Sequence, residues 1–200
     1  MMRHGIVTAL GLACALLASE TAAAQQPRIS VYLGAGALAS LAKLNNSGTA
    51  SLKGGPYIGG GVNWQMVPGD SSLVLQGDVT LTREELRTNQ TGSGTKVNLT
   101  FVGANLEYIY IQTRRFEFTL SGGGGVVFVY VVDTTGAIRA RPFARLGLSA
   151  RYVFRPTLQA FVQGFGTMYN LQNFPSTSVL GPYSRRQSPV GIGAGLALGL

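Results

Sequence analysis

The segment "RARPFARLGLSARY", residues 139–152, places charged and apolar side chains at alternate positions. All four of its arginines occupy odd positions: Arg139, Arg141, Arg145 and Arg151. The even positions hold Ala140, Pro142, Ala144, Leu146, Leu148, Ala150 and Tyr152. A period of two belongs to an extended strand whose two faces meet different environments. The segment therefore predicts a β-strand with one polar face and one apolar face.

The N-terminal end has the three parts of a secretory signal peptide. Met1 to His4 is short and basic, Gly5 to Leu17 is apolar, and Ala22 to Ala24 offers a small-residue cleavage site. The apolar run is shorter than the roughly 20 residues that a helix needs to cross a bilayer. We therefore predict a signal peptide at 1–24 and a single domain at 25–200.

Composition excludes several classes of chemistry from the predicted domain. The only cysteine, Cys14, and the only histidine, His4, both lie within the predicted signal peptide. Without thiol or imidazole, the domain has no disulfide, no His or Cys metal site, and no nucleophile activated by histidine. We predict no metal, no cofactor and no enzyme activity.

The chain is strongly basic, with 16 Lys and Arg against 8 Asp and Glu. Secretion and the dispersal of the basic residues along the chain argue against a nucleic-acid partner. Anionic lipid or lipopolysaccharide at a membrane surface is the better partner for this charge.

Segments of period two recur along the whole domain, and no window after Pro27 has a convincing helical period. We predict eight strands: Ile29 to Ala39, Pro56 to Met66, Ser72 to Glu84, Val97 to Ile111, Phe116 to Val132, Arg139 to Tyr152, Leu158 to Asn170 and Val190 to Leu200. Their polar faces, such as Gln76, Asp78 and Thr80 in the third strand, are too polar for a buried apolar core.

The connections alternate in length. Tight turns are predicted at Val67 to Ser71, Gln112 to Arg115 and Arg155 to Thr157, and long polar loops at Ser40 to Gly55, Glu85 to Lys96 and Leu171 to Ser188. The short connection Asp133 to Ile138 breaks this pattern. Long loops at one end and short turns at the other are typical of a transmembrane antiparallel barrel.

Aromatic residues support a membrane barrel over the soluble alternative, a periplasmic sandwich or lipocalin-like cup. Those on the apolar parity collect beside the short turns, where an interfacial girdle is expected: Trp64, Tyr108, Tyr110, Phe116, Phe118, Tyr152 and Phe154. Closure is required in lipid, because an open edge leaves backbone groups unsatisfied. The predicted fold is all-β, a single eight-stranded antiparallel up-and-down transmembrane β-barrel in the cell outer membrane.

The signal peptide, strand count, loop asymmetry and terminal strand resemble the small eight-stranded outer-membrane barrels of the OmpA/OmpX and surface-antigen type. The C-terminal "GLALGL" is similar to the barrel-insertion signal of such proteins, with Gly195, Leu198 and Leu200 at its glycine, hydrophobic and terminal positions. That signal usually ends in an aromatic residue, whereas this chain ends in leucine. The resemblance implies the barrel-assembly machinery and periplasmic chaperones as partners.

If the even face of the opening segment meets lipid, its arginines point into the lumen, where unpaired charge is costly. The acids on lumen parity are Asp78, Glu107 and Glu117. Counting along the strands sets Glu117 roughly opposite Arg151. We predict an interior network of these acids with Arg145 and Arg151, in a lumen that Arg139 and Arg141 also face.

Three functions remain open at this point. The first is a structural or surface-interaction barrel whose lumen is plugged by the charge network and whose long loops contact a surface ligand. The second is a narrow pore for small or hydrophobic solutes, resembling the OmpW type. The third is a lipid-modifying enzyme, which the absence of histidine and cysteine from the predicted domain disfavours.

Overall fold

Alternating side chains make each extended segment two-faced, and pairing between strands satisfies the backbone hydrogen-bonding groups. The computed structural model describes residues 29–40, 50–67, 70–88, 91–132, 139–171 and 186–200. Ten strands lie in these ranges: β1 (Ile29–Ser40), β2 (Ala50–Lys53), β3 (Pro56–Val67), β4 (Asp70–Thr88), β5 (Thr91–Gln112), β6 (Phe116–Val131), β7 (Arg139–Arg155), β8 (Leu158–Asn170), β9 (Arg186–Gln187) and β10 (Pro189–Gly199). The described residues include no helix with the length and hydropathy of a membrane-spanning one.

Eight of these strands close into a barrel. Neighbours pair antiparallel in the order β1, β3, β4, β5, β6, β7, β8 and β10, and β10 returns to pair with β1. The closing register runs from Ser30 opposite Gly199 to Ser40 opposite Pro189. The two short strands extend this wall, because β2 pairs with β4 and β9 pairs with β8. The prediction of an eight-stranded antiparallel up-and-down barrel is confirmed.

Two of the predicted long loops contain strand, which corrects the sequence-based prediction. The segment Glu85 to Lys96 continues the β4–β5 ladder, in which Glu85 faces Lys96 and Thr88 faces Thr91. Threonine and opposite charges on facing strands favour such pairing, although the length and polarity of this segment indicated a loop. The segment Ser40 to Gly55 contains β2, whose Leu52 faces Leu86 of β4.

Several sequence-based predictions fall outside the described residues. These are the signal peptide at 1–24, residues 41–49 of the first long loop, the centre of the first tight turn at 68–69, residues 89–90 of the second long loop, the connection at 133–138, and most of the third long loop at 172–185.

The barrel wall separates an apolar outer face from an inner face that holds the charge. On β7, Leu146 is 64% exposed on the outside, whereas its neighbour Arg145 is 9% exposed and points inward. The outer face carries exposed apolar residues on every barrel strand, among them Leu33, Val62, Val79, Val102, Leu120, Leu148, Val162 and Ile192. Such a continuous apolar surface is not tolerated in water but matches the lipid-facing band of a membrane barrel.

Candidate functional site

The candidate site is the barrel interior, where the strands bring together charged residues that are distant in sequence. Five of the predicted network residues are buried there: Asp78, Glu107, Glu117, Arg145 and Arg151. They reach the interior because each occupies the inward parity of its strand, opposite the apolar outer residues. Of the two remaining arginines, Arg141 is half-buried on β7, and the side chain of Arg139 lies outside the described part of the structure.

Arg145 forms a buried ion pair with Asp78, three barrel strands away. The distance from Arg145 Nη1 to Asp78 Oδ2 is 2.5 Å. Asp78 also accepts hydrogen bonds from Asn105 Nδ2 at 3.0 Å and from Thr80 Oγ1 at 3.3 Å. A buried carboxylate is tolerated only when its oxygens are paired in this way, so Arg145 and Asp78 depend on each other.

The Arg145 guanidinium also lies among three aromatic rings. Its Cζ atom is 4.8 Å from the centroid of Phe165, 5.2 Å from that of Phe143 and 5.7 Å from that of Phe101. Attraction between a cation and the ring faces adds roughly 1 kcal/mol or more when water is excluded. These aromatic partners were not predicted from the sequence.

Arg151 pairs with Glu107 rather than with the acid that faces it across the strands. The register sets Glu117 opposite Arg151, as counting along the sequence predicted, but the Arg151 guanidinium contacts Glu107 Oε2. Thr119 Oγ1 donates to Glu107 Oε1 at 2.6 Å. Glu117 is fully buried, and its Oε1 accepts a hydrogen bond from Gln112 Nε2 at 3.3 Å.

These groups border a cavity of about 40 Å³ whose polar lining includes Tyr32, Asn63, Gln76, Asp78, Asn105, Glu107, Arg145 and Arg151, with aromatic rings of Tyr57, Phe161 and Phe165 beside them. We call it the polar chamber. Its volume holds roughly three water molecules, since each needs about 10–15 Å³. It has room for water beside the ion pairs but is much smaller than an aqueous channel.

Glycines on the inner face of β10 allow aromatic rings to enter the lumen. A β-carbon at Gly195 would approach Phe161 Cζ to 2.6 Å, and one at Gly193 would collide with the Tyr57 hydroxyl. Small residues at Gly191, Gly193 and Gly195 therefore give space to long side chains of the neighbouring strands.

The half of the lumen nearer the long connections is mostly apolar, which the sequence reasoning missed. Its apolar and aromatic inward residues form one buried cluster, here called the loop-side cluster: Leu52, Val97, Leu99, Phe101, Val127, Val129, Phe143, Tyr169 and Leu171. The signal was present, because residues 126–132 are apolar or aromatic on both parities. Such a run marks a strand segment with no polar face.

The predicted girdle residues all lie on the outer face beside the short turns. Trp64, Tyr108, Tyr110, Phe116 and Phe154 are exposed, and Phe118 and Tyr152 are partly exposed. Tyr152 packs edge-on against both Phe116 and Phe154, with ring centroids 5.0 Å and 4.9 Å apart. The predicted assembly residues divide between the faces: Gly195 lines the lumen, whereas Leu198 and Leu200 are exposed outside.

A closed barrel of eight strands, apolar outside and filled inside, is the fold of the small outer-membrane β-barrels. The chain is similar to the crystal structure of Neisserial surface protein A, with 13% identity, 86% of this chain and 97% of that chain covered, and a TM-score of 0.57. It is also similar to the outer membrane protein OprG from Pseudomonas aeruginosa, with 11% identity, 88% and 98% of the two chains covered, and a TM-score of 0.54. At these identities the likeness establishes the fold. No protein-family model and no curated protein matches the sequence.

Proposed function

We propose that the protein is an integral outer-membrane barrel with a closed lumen and a structural or surface-interaction role, not a pore and not an enzyme. The observation that carries the proposal is the filled interior. Two buried ion pairs, the aromatic rings around Arg145 and the loop-side cluster together leave a polar cavity of only about 40 Å³. Small barrels are normally filled by their own side chains in this way.

The lumen has two barriers in series, and they differ in kind. The ion pairs Arg145–Asp78 and Arg151–Glu107 border the polar chamber, which water can occupy. The loop-side cluster is apolar apart from the Tyr169 hydroxyl and lies between the chamber and the long connections. We therefore assign the main barrier to ions to the loop-side cluster, because an apolar constriction resists wetting.

Planar-bilayer conductance of the refolded protein tests the closed lumen. The wild type and Arg145→Ala are expected to be silent, because the loop-side cluster still closes the lumen in both. Combining Arg145→Ala with Phe101→Ala removes material from both barriers and is expected to give discrete steps. Steps in the wild type would overturn the proposal and favour the narrow pore. Steps in Arg145→Ala alone would assign the barrier to the ion pairs.

The environment of the barrel follows from its surfaces. The apolar outer belt fits outer-membrane lipid, and the aromatics beside the short turns fit the membrane interface. Exposed basic residues at the loop side suit lipopolysaccharide or another anionic surface ligand: Lys53, Arg83, Lys96 and Arg186.

The same proposal includes assembly by the barrel-assembly machinery and periplasmic chaperones, with Gly195, Leu198 and Leu200 as the signal.

A surface-interaction role is tested by the stability of the barrel in two kinds of vesicle. The midpoint of thermal unfolding is expected to be higher in vesicles containing lipopolysaccharide than in vesicles of zwitterionic phospholipid. Arg83→Gln combined with Lys96→Gln should lose most of this difference, because the charge is removed while the strands remain. An equal midpoint for the wild type in both vesicles would contradict an anionic lipid partner.

A further inference from the structure

Glu84 is a buried acid that the charge network does not use. It lies near the loop-side end of β4, on the inward parity that also holds Thr80 and Thr82, and only 2% of it is exposed. The lipid-facing apolar residues of β4 end at Leu81, and the next residue on that face, Arg83, is exposed and charged. Glu84 therefore lies beyond the membrane-spanning segment of its strand, in the part of the barrel nearest the long connections.

The surroundings of Glu84 are apolar. It faces Val97 across the β4–β5 ladder, and Val97 is completely buried in the loop-side cluster. Neither carboxylate oxygen has a hydrogen-bond partner among the described residues. Every other carboxylate of the interior accepts at least one hydrogen bond, so Glu84 differs from Asp78, Glu107 and Glu117.

The neighbouring charges do not compensate Glu84. Arg83 and Glu85 flank it on the outward parity, and Lys53 and Lys96 face Glu85 from the two adjacent strands. The titratable group that interacts with Glu84 from inside the lumen is the Tyr169 phenol of β8. Gln187 of β9 is fully buried with an unpartnered Nε2, and Arg141 of β7 is half-buried. Among the described residues, no neighbouring cation lowers the pKa of Glu84.

Burial without a partner penalises the ionised form of a carboxyl group. Desolvation raises the pKa of Glu84 from 4.5 to about 7. A phenol ordinarily titrates near pH 10, so Tyr169 does not change its charge between pH 5 and pH 8.

We propose that Glu84 is a proton-binding site that controls how tightly the loop-side end of the barrel closes. With the proton bound, the neutral side chain stays among the apolar residues of the loop-side cluster. Without it, the carboxylate must reach water, and the β4–β5 ladder must open locally at Glu84 and Val97 to let it do so. This inference goes beyond the proposed function and holds whether or not the lumen conducts.

The direction of the pH effect follows from linkage. A carboxyl whose pKa is higher in the closed state than in the open state stabilises closure fully below pH 4.5. The stabilisation decreases as the pH rises from 4.5 through about 7, and at higher pH it no longer changes. With the two pKa values 4.5 and about 7, the opening equilibrium increases roughly 70-fold between pH 5 and pH 8.

Hydrogen exchange of the full-length barrel in nanodiscs at pH 5 and pH 8 measures this opening. After correction for the intrinsic rate, peptides within 84–99 of the wild type should exchange tens of times faster at pH 8. Peptides within 104–112, at the short-turn end of β5, should show no such change. Glu84→Gln, which has the same shape without the charge, should abolish the difference.

Two further variants keep the test decisive. Glu85→Gln removes a charge from the adjacent outward position and should retain the full pH dependence. Glu84→Leu removes both charge and polarity and should abolish the dependence as Glu84→Gln does, which covers the case in which the glutamine variant folds poorly. A wild-type barrel whose 84–99 peptides exchange equally at both pH values, or a Glu84→Gln barrel that keeps the wild-type ratio, would overturn the proposal.

Discussion

At the scale of single residues, the interior depends on side chains that reach across the lumen. The sequence predicted which residues point inward and that Glu117 faces Arg151, because both follow from parity and turn position. It did not predict that Arg151 contacts Glu107, or that three aromatic rings surround Arg145. Those contacts depend on the tilt and stagger of the strands, which no local pattern encodes.

Arg145→Ala is expected to destabilise the barrel by about 3–5 kcal/mol, because it leaves Asp78 buried without its cation. Urea unfolding in vesicles, followed through the fluorescence of Trp64, the single tryptophan, measures the loss. Adding Asp78→Asn should recover part of it by removing the orphaned charge. Arg114→Ala in an exposed turn is the control and should leave the midpoint unchanged.

Gly195→Ala is expected to lower the stability of the barrel by about 1–3 kcal/mol, the usual cost of overpacking. The new β-carbon would meet both the backbone of β1 and the ring of Phe161. Gly166→Ala is the matched control, because a β-carbon there meets nothing within 4 Å. The temperature of the heat-dependent gel shift compares the two variants. Equal temperatures for both would show that the interior has space at Gly195.

At the scale of elements, alternation predicted each barrel strand, but strands such as β4 and β5 extend beyond their predicted ends. The β5 strand has 22 residues, about twice the length needed to cross a bilayer. Its outer part was predicted as a loop because the segment Glu85 to Lys96 is long and polar. Pairing with β4 overrides that local preference, since each strand supplies hydrogen bonds to the other.

The extended β4–β5 hairpin predicts resistance to trypsin at Arg87 and Lys96. A protease needs an unpaired, adaptable segment. Lys96 pairs with Glu85 in the β4–β5 ladder, and Arg87, at a register shift of that ladder, pairs with Ser51 of β2. Time-resolved digestion of the refolded barrel, read by mass spectrometry, should show cleavage at these two sites only after unfolding in urea. Early cleavage at Arg87 in the folded barrel would mean that the segment is a loop after all.

At the scale of the whole molecule, closure gives the two faces their different environments. An apolar exterior and a charged interior invert the usual arrangement of a soluble protein, and lipid is the environment in which this inversion is stable.

Quenching by brominated lipids is expected to locate Trp64 near the membrane interface. The residue is exposed on the outer face beside a short turn, so lipids brominated near the headgroup should quench its fluorescence more than lipids brominated near the chain end. The variant Trp64→Phe with Val79→Trp moves the only tryptophan to the middle of the apolar belt and should reverse the order. The same order in both proteins would contradict the proposed position in the bilayer.

The sequence by itself determined that the domain is built of two-faced strands and which side chains of each strand share a face. These properties are local, because the pleat sends neighbouring side chains to opposite sides whatever else the chain does. Only the tertiary structure decided which buried charges pair, where the lumen changes from polar to apolar, and that Glu84 is enclosed without a partner. Those outcomes depend on closure, which sets the stagger between strands and brings residues such as Asp78 and Arg145 together from 67 positions apart.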